Sequence, residues 1–241
     1  MTHKAKDVEV ELKKLGSKKK SESSAWFFKT GKGQYGEGDV FIGVTVPEQR
    51  VVAKEFANIP LTEITKLLEN KIHECRLTAL IILVTQFRSS SEIERTRIVK
   101  FYLTHTKKIN NWDLVDASAS AILGAHLLRR KRDVLYKLVK SINMWEKRIA
   151  IVSTHALIRA GETKDALLLS EMLLTDREDH MHKAVGWTLR EVGKQSRPTL
   201  VKFLTKHAPH MPRTALRYSI EHFSEPERKK FMGMKSLVET V

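Results

Sequence analysis

The stretch NMWEKRIAIVSTHALIRAG, residues 143–161, carries the residue spacing that decides the fold of this chain. Its small and apolar residues recur mainly at intervals of three and four, the period of an α-helix that buries one face. The predicted inner residues are Ile149, Ala150, Ser153, Leu157 and Ala160. Arg148, His155 and Arg159 share the other face, which is therefore predicted to be basic and able to contact phosphates.

The same spacing continues along most of the chain, with only short breaks at Gly and Pro. The predicted helices cover residues 47–57, 61–70, 72–88, 92–106, 111–128, 132–141, 144–160, 163–174, 178–194, 197–206, 212–222 and 225–232. They come in pairs, and every second helix carries an inner alanine. In four of the five cases a basic residue precedes this alanine by one to three positions. These alanines are Ala79, Ala117, Ala150, Ala184 and Ala215, spaced 31 to 38 residues apart. This period predicts an all-α fold, an α-α superhelix or solenoid of degenerate two-helix repeats of HEAT type.

The first 46 residues depart from this pattern, although we expect residues 1–241 to form a single repeat domain. ELKKLGSKKKSESS predicts a charged helix with a loop, and SSAWFFK predicts a second short helix. Residues 31–36 match G-x-G-x-x-G, but a dinucleotide site requires that motif to follow a strand and begin a helix. Here it follows a predicted helix. A glycine-rich loop, with DVFIGV as an extended connector, is the better interpretation.

The charge of the chain predicts a polyanionic partner. Lys and Arg number 43 against 28 Asp and Glu, giving a formal net charge of +15. Nucleic acid is the favoured partner because neutralised phosphates release counterions, while an acidic membrane surface is the competing one. The sequence has no apolar run of about 20 residues and no apolar signal core. A single cysteine, Cys75, excludes an internal disulfide, so we expect a cytoplasmic protein that associates with the nucleoid when bound to DNA.

The stretch NNWDLVDASAS, residues 110–120, brings acids into this basic chain. With Asn110 or Asn111 as the helix cap, Asp113 lies in the first turn, where the helix dipole favours a carboxylate. Trp112 and Asp116 are four residues apart and therefore share one face. The opposite, apolar face is predicted to hold Leu114, Ala117, Ala121, Ala125 and Leu128. A carboxylate on so packed a helix either pairs with a cation or has a function, and both alternatives stay open here.

The stretch EDHMHKAVGWTLREVGK, residues 178–194, predicts a helix with an aromatic centre on a basic face. Its inner stripe is Met181, Val185, Leu189 and Val192, and its outer face carries Trp187 with Lys183, Arg190 and Lys194. A tryptophan among cations is typical of stacking on a base or sugar, and packing against another helix is the alternative. Trp145, by contrast, is predicted to be a core residue. Histidines at 180, 182, 207 and 210 lack a metal-ligand spacing, so we expect no metal and no cofactor.

WDLVD with its small-residue helix, NMWEKRIAI and HKAVGWTLRE together resemble the AlkD-like alkylpurine DNA glycosylases, the HEAT-like DNA alkylation repair enzymes. AWFFK and FIGVTVPEQR extend this resemblance over nearly the whole chain. It implies a helical solenoid whose concave basic cleft holds double-stranded DNA. It also implies hydrolysis of the N-glycosidic bond of N3- or N7-alkylated purines, which initiates base excision repair.

The resemblance also implies roles for single residues. Asp116 matches the catalytic aspartate of that family, and Asp113 would be a supporting acid. Trp112 and Trp187 match its cleft tryptophans, and Arg148 matches its DNA-contacting arginine. Phe27 stands where the family often has tyrosine, and the GKGQYGEG insertion also departs from the family pattern.

The implied enzyme is a monofunctional hydrolase, expected to act as a monomer without a membrane partner. Lys183, Arg190 and Lys194 would bind DNA beside Trp187. Two alternatives stay open: a non-catalytic HEAT-like DNA-binding or scaffolding protein, and a protein-binding solenoid.

Overall fold

The computed structural model describes residues 3–234, and in that part of the chain every regular element is helical. The helices are α1 Ala5–Lys14, α2 Lys18–Phe27, α3 Val46–Glu55, α4 Leu61–Leu68, α5 His73–Ser89, α6 Glu92–Thr104, α7 Trp112–Ala119, α8 Asp133–Leu138, α9 Met144–Arg159, α10 Lys164–Leu173, α11 Asp179–Gln195, α12 Arg197–His207, α13 Arg213–Ser219 and α14 Glu225–Gly233. An isolated parallel bridge joins Val40 to Ile72. The all-α prediction is confirmed. Within the same residues, no helix is both long and apolar enough to cross a membrane.

The chain divides into two compact units, the first ending at Ile122 and the second beginning at Leu123. The first is built around α5, which packs against α3, α4 and α7. Every residue of α5 from His73 to Val84 is buried, as expected for a helix surrounded by others. Cys75 is one of them, and burial raises the pKa of its thiol to about 12, so it acts as a small core residue.

The second unit is built around α9 and α11, which pack against each other. Gly186 allows α13 to approach α11 closely, because a Cβ at this position would lie 2.4 Å from the Cβ of Tyr218. The predicted inner stripe of α11 is buried, and so is Trp145, as predicted. The inner alanines Ala79, Ala150, Ala184 and Ala215 are also buried, whereas Ala117 is only partly so.

The predicted apolar face of residues 111–128 is correct at Leu114 and wrong at its other four residues. The buried residues in this stretch include Leu114, Val115, Ser118, Ala119, Ile122 and Leu123, whereas Ala117, Ala121, Ala125 and Leu128 are only partly buried. The predicted single helix is in fact α7, a π-helical turn at Ser120–Gly124 and a 3-10 turn at Leu127–Arg129. A π turn adds a residue to one helical turn and so rotates the following side chains, which a constant helical period cannot anticipate.

The glycine-rich segment forms a series of turns after α2, so its interpretation as a loop is correct. Helix α2 itself takes in both KKKSESS and AWF, which the sequence had divided between two helices. The extended segment after the loop is held by buried Glu74, whose carboxylate accepts hydrogen bonds from the backbone N–H groups of Ile42, Gly43 and Val44. Gly43 has φ +79°, and a Cβ there would lie 2.2 Å from the carbonyl oxygen of Ser17.

Candidate functional site

The first two turns of α7 carry the acids of the NNWDLVD stretch, Asp113 and Asp116. Buried Asn111 caps the helix, its side-chain oxygen accepting a hydrogen bond from the Trp112 N–H at 2.8 Å. Asp113 accepts a second one at Oδ1 from the Leu114 N–H, also at 2.8 Å. The cap therefore fixes the direction in which Trp112 and the two aspartates leave the helix.

Asp113 is also one end of a buried ion-pair network on α5. Its Oδ2 lies 2.7 Å from Nε2 of His73, and the Nδ1 atom of the same ring lies 3.1 Å from Oδ2 of Asp39. Arg76 completes the network, with a guanidinium nitrogen 2.7 Å from Oδ1 of Asp39. Asp113 is thus engaged in holding α7 against α5, which agrees with a supporting role.

The carboxylates on both sides of His73 determine its charge. Burial alone would lower the pKa of His73, but hydrogen bonds to Asp113 and Asp39 raise it overall above its usual value. The imidazolium form can donate a hydrogen bond from each ring nitrogen to a carboxylate. The two neighbouring carboxylates thus favour the protonated form of His73.

Aromatic rings pack on the same side of α7. Phe28 stacks on Trp112 with ring centroids 5.3 Å apart, and on Phe41 at 4.9 Å. Phe27 contacts Trp112 edge-on at 6.0 Å. Phe27 and Trp112 are therefore neighbours in the structure, and Trp112 is held in place while remaining partly exposed.

Asp116 lies one helical turn beyond Trp112 and is also partly exposed. It shares that side of α7 with Trp112, because the helix buries Val115, Ser118 and Ala119. Burial and the charge of Asp116 together raise the pKa of Tyr102, whose hydroxyl is hydrogen-bonded to Ser118. The two acids of WDLVD thus differ in position: Asp113 lies against the buried histidine, and Asp116 lies one turn further along the helix.

In the second unit, α11 presents Trp187 on the side opposite its buried stripe, as predicted. The indole meets the ring of His155 edge-on, with ring centroids 4.3 Å apart. His155 is 4% exposed and lies 2.9 Å from the hydroxyl of Thr188. Burial lowers the pKa of His155 to about 4, so this ring is neutral near pH 7. His155 and Arg148 were predicted to lie on the outer basic face of α9, and this is wrong because both are buried. Ala160, predicted to be an inner residue, is exposed.

The cations around Trp187 each have an acidic neighbour. Lys183 pairs with Asp179 at 2.8 Å, and Lys194 pairs with Glu191 at the same distance. Arg190 pairs with Glu221. Such partly exposed pairs are weak and can be exchanged for contacts with phosphate.

Arg148 is 5% exposed, and its guanidinium donates a hydrogen bond of 2.9 Å to the carbonyl oxygen of His180. It therefore fixes the start of α11 against α9. Its expected DNA contact stays a prediction, since little of the side chain reaches the surface.

Sequence reasoning missed His73, Asp39 and Phe28. The signals were slight: His73 begins a helix within KIHECR, and Asp39 ends the glycine-rich loop. Their partners lie 34 and 40 residues away along the chain, beyond any local spacing pattern. Among residues 3–234, no three His, Cys, Asp or Glu side chains are grouped so that they could hold a metal ion.

Comparison with known proteins agrees with this helical architecture. The family model described as "DNA alkylation repair enzyme" matches residues 8–223, so the chain belongs to that family. A solved structure titled "Predicted DNA alkylation repair enzyme from Enterococcus faecalis" is similar with a TM-score of 0.68 and 16% identity, over 88% of this chain and 98% of that chain.

A second solved structure is similar with a TM-score of 0.58 and 14% identity, over 90% of this chain and 83% of the other. Its title describes "a new family of proteins related to the HEAT-like repeat DNA glycosylases with affinity for branched DNA structures". The fold is therefore that of the HEAT-like repeat DNA glycosylases. A search of curated proteins finds no match to the chain.

Proposed function

We propose that this member of the DNA alkylation repair family is a DNA glycosylase that hydrolyses the N-glycosidic bond of N3- or N7-alkylated purines in duplex DNA. The observation that carries the proposal is the position of Trp112 and Asp116 together on one partly exposed side of α7. Asp113 lies against buried His73, whereas Asp116 is partly exposed one turn from Trp112. Asp113 is paired with a buried histidine, and Asp116 lies beside Trp112 on the partly exposed side of the helix.

The chemistry suits a single carboxylate. Alkylation at N3 or N7 gives the purine a positive charge, so the base leaves readily and positive charge develops on the deoxyribose as the bond breaks. Asp116 would stabilise this oxocarbenium ion and orient the attacking water. Because water rather than a lysine attacks the sugar, we expect monofunctional cleavage without strand scission. The route uses no metal or cofactor.

Aromatic and basic side chains would hold the substrate. Trp112 would lie against the cationic nucleotide, since aromatic faces favour positive charge. Trp187 would stack on a base or sugar of the DNA. Phe27, beside Trp112, would add apolar contact but no hydrogen bond. Lys183, Arg190, Lys194 and Arg148 would contact phosphates. We expect the protein to act as a monomer and to be cytoplasmic.

The decisive experiment is base release by the variant Asp116→Asn. Duplex DNA carrying 7-methylguanine or 3-methyladenine is the substrate, and release should fall about 100- to 1000-fold because the anion facing the developing charge is removed. Binding to the same DNA should be unchanged, since Asn keeps the shape of the side chain.

Asp133→Asn is the matched control, because Asp133 is an exposed aspartate in the first turn of another helix, α8. Its activity should equal that of the unchanged protein. Full base release by Asp116→Asn would contradict the catalytic assignment.

A non-catalytic DNA-binding function is the second candidate, and the relative described by its affinity for branched DNA favours it. The two proposals differ in one assay. Tight binding to a four-way junction by a protein that releases no alkylated base would favour the second. Release that depends on Asp116 would favour the first.

A further inference from the structure

Helix α2 presents an aromatic surface of which the proposed site uses only Phe27. No residue of α2 is buried. Trp26 is 73% exposed and Phe27 is 55% exposed, which is unusual for two adjacent large aromatic side chains. Exposed aromatic groups of this kind mark binding surfaces in soluble proteins.

A lysine stands at the end of α2 where the backbone favours glycine. Lys29 has φ +54°, and the N–H groups of Lys29 and Thr30 bond back to the carbonyls of Trp26 and Ala25, the pattern of a Schellman cap. A side chain in this left-handed conformation is disfavoured. Its ammonium nevertheless lies 4.5 Å from the ring centroid of Trp26. The lysine therefore places a cation beside an exposed indole, which a glycine could not do.

Two adjoining hollows follow the same helix. One, of about 730 Å³, is lined by Trp26, Phe27, Glu22, Ser23 and Ser24. The other, of about 310 Å³, includes Lys19, Lys20 and Thr45 and shares Ser23 and Ser24 with the first. An aromatic surface with hydrogen-bonding groups thus lies beside a basic one with hydroxyl groups. A nucleotide presents the same two surfaces, a flat base and a phosphate.

We propose that this surface of α2 binds an unpaired nucleotide of DNA, with the base stacked on Trp26 and the phosphate held by Lys19 and Lys20. The inference rests on the proposed DNA binding, but not on catalysis. In a duplex both faces of every base are covered by its neighbours, so an exposed indole can stack only on a nucleotide outside the stack, as in a gap, fork or junction.

Charge and position favour DNA over other partners. Lys18, Lys19 and Lys20 begin α2 and Lys29 follows it, so the helix carries cations at both ends and complements a polyanion, although Lys20 also lies 3.4 Å from Glu48. The carboxylate of Glu22 can accept a hydrogen bond from the amino group of a base. Phe27 also packs against Trp112, which makes the surface continuous with the proposed lesion site on α7.

The experiment compares binding to three undamaged fluorescent DNAs by anisotropy: an intact duplex, the same duplex with an unpaired overhang, and one with a short gap. The unchanged protein should prefer the two DNAs with unpaired nucleotides. Trp26→Ala should weaken binding to these two by about 5- to 150-fold, the range for one stacked base, and leave duplex binding unchanged. Ile93→Ala, which removes another exposed apolar side chain at 81% exposure, should leave binding to all three DNAs unchanged.

Lys29→Gly separates binding from folding. Glycine suits the left-handed backbone, so the thermal midpoint should stay the same or rise, whereas affinity for unpaired DNA should fall. A lysine with a purely structural role would leave affinity unchanged.

The proposal would be overturned if Trp26→Ala weakened binding to all three DNAs equally, or weakened binding to none of them. If Trp26→Ala instead lost binding to anionic phosphatidylserine vesicles and kept its DNA binding, the proposal would be overturned in favour of a membrane partner. The Asp116→Asn variant should keep the preference for unpaired DNA. This outcome distinguishes failure of the glycosylase proposal from failure of this one.

Discussion

Two buried histidines, one in each unit of the chain, accompany the two candidate tryptophans, and they differ in charge. His73 stacks on Phe41, which in turn stacks on Phe28 beside Trp112, and it lies between Asp39 and Asp113, which raise its pKa. His155 meets the edge of Trp187, and burial lowers its pKa to about 4. Both are almost completely buried. The difference teaches that neighbouring carboxylates, more than burial, decide whether an enclosed histidine is a cation.

Each charge state suits its surroundings. Near Trp112 the proposed mechanism uses the carboxylate of Asp116 for the substrate. The carboxylate of Asp113 is paired with His73. Near Trp187 the surroundings are already rich in cations. The charges that act on His155 come from Glu191, Arg159, Arg148 and Arg190. A neutral ring can support the indole there without adding to the positive charge.

The largest expected effect is that of His73→Leu on stability. Leucine leaves Asp113 without its histidine partner and Asp39 with only Arg76. Because removing one member of a buried ion-pair network leaves an uncompensated charge, we expect the free energy of unfolding to fall by about 3–5 kcal/mol near pH 6. Urea unfolding followed by circular dichroism measures it.

The pH dependence identifies the cause. The folded protein binds the His73 proton more tightly than the unfolded chain does, so this stabilisation is complete below the unfolded pKa of about 6.5. It is lost as the pH rises through the raised folded pKa. The difference in stability between the unchanged protein and His73→Leu should therefore shrink at alkaline pH. A difference that is constant from pH 6 to pH 10 would mean that packing, not the imidazolium, is responsible.

The opposite pH dependence is expected for His155→Gln. The unfolded chain takes up the His155 proton at about pH 6.5, but the folded protein does so only at about pH 4. Between these values the unfolded state binds more protons, so acid destabilises the unchanged protein by up to about 3 kcal/mol. His155→Gln should lose this part of the acid response, because glutamine keeps a hydrogen-bonding group for Thr188 but does not titrate. Parallel stability curves for the two proteins between pH 7 and pH 4 would contradict the assignment.

These histidines also mark the limit of what the sequence predicts. The helices follow from local spacing, and the ends of α9 and α11 lie within one residue of the predicted positions. The outward position of Trp187 follows from the same period. The burial of His155 does not, because that side of α9 is covered by another helix rather than by solvent.

The α7 site is predicted less completely for two physical reasons. The π turn after Ala119 breaks the period that defined the inner face. The partners of Asp113 come from a different helix and a loop, so only the tertiary structure brings His73 and Asp39 to it. The prediction that Trp112 and Asp116 share one side of α7 still holds, because both residues lie within α7, before the π turn.

The smallest expected effect separates the two tryptophans. Trp112 is stacked on Phe28 and contacts Phe27, whereas the ring contact of Trp187 is with the edge of His155. Trp187→Ala should weaken binding to alkylated duplex DNA by about 1–3 kcal/mol, the contribution of one stacked aromatic group, with little change in thermal midpoint. Trp112→Ala should lower both the affinity for alkylated duplex DNA and the thermal midpoint, because it removes a member of a packed ring cluster. Equal losses of stability in the two variants would mean that Trp187 is a packing residue, and the basic face of α11 would then contribute charge alone.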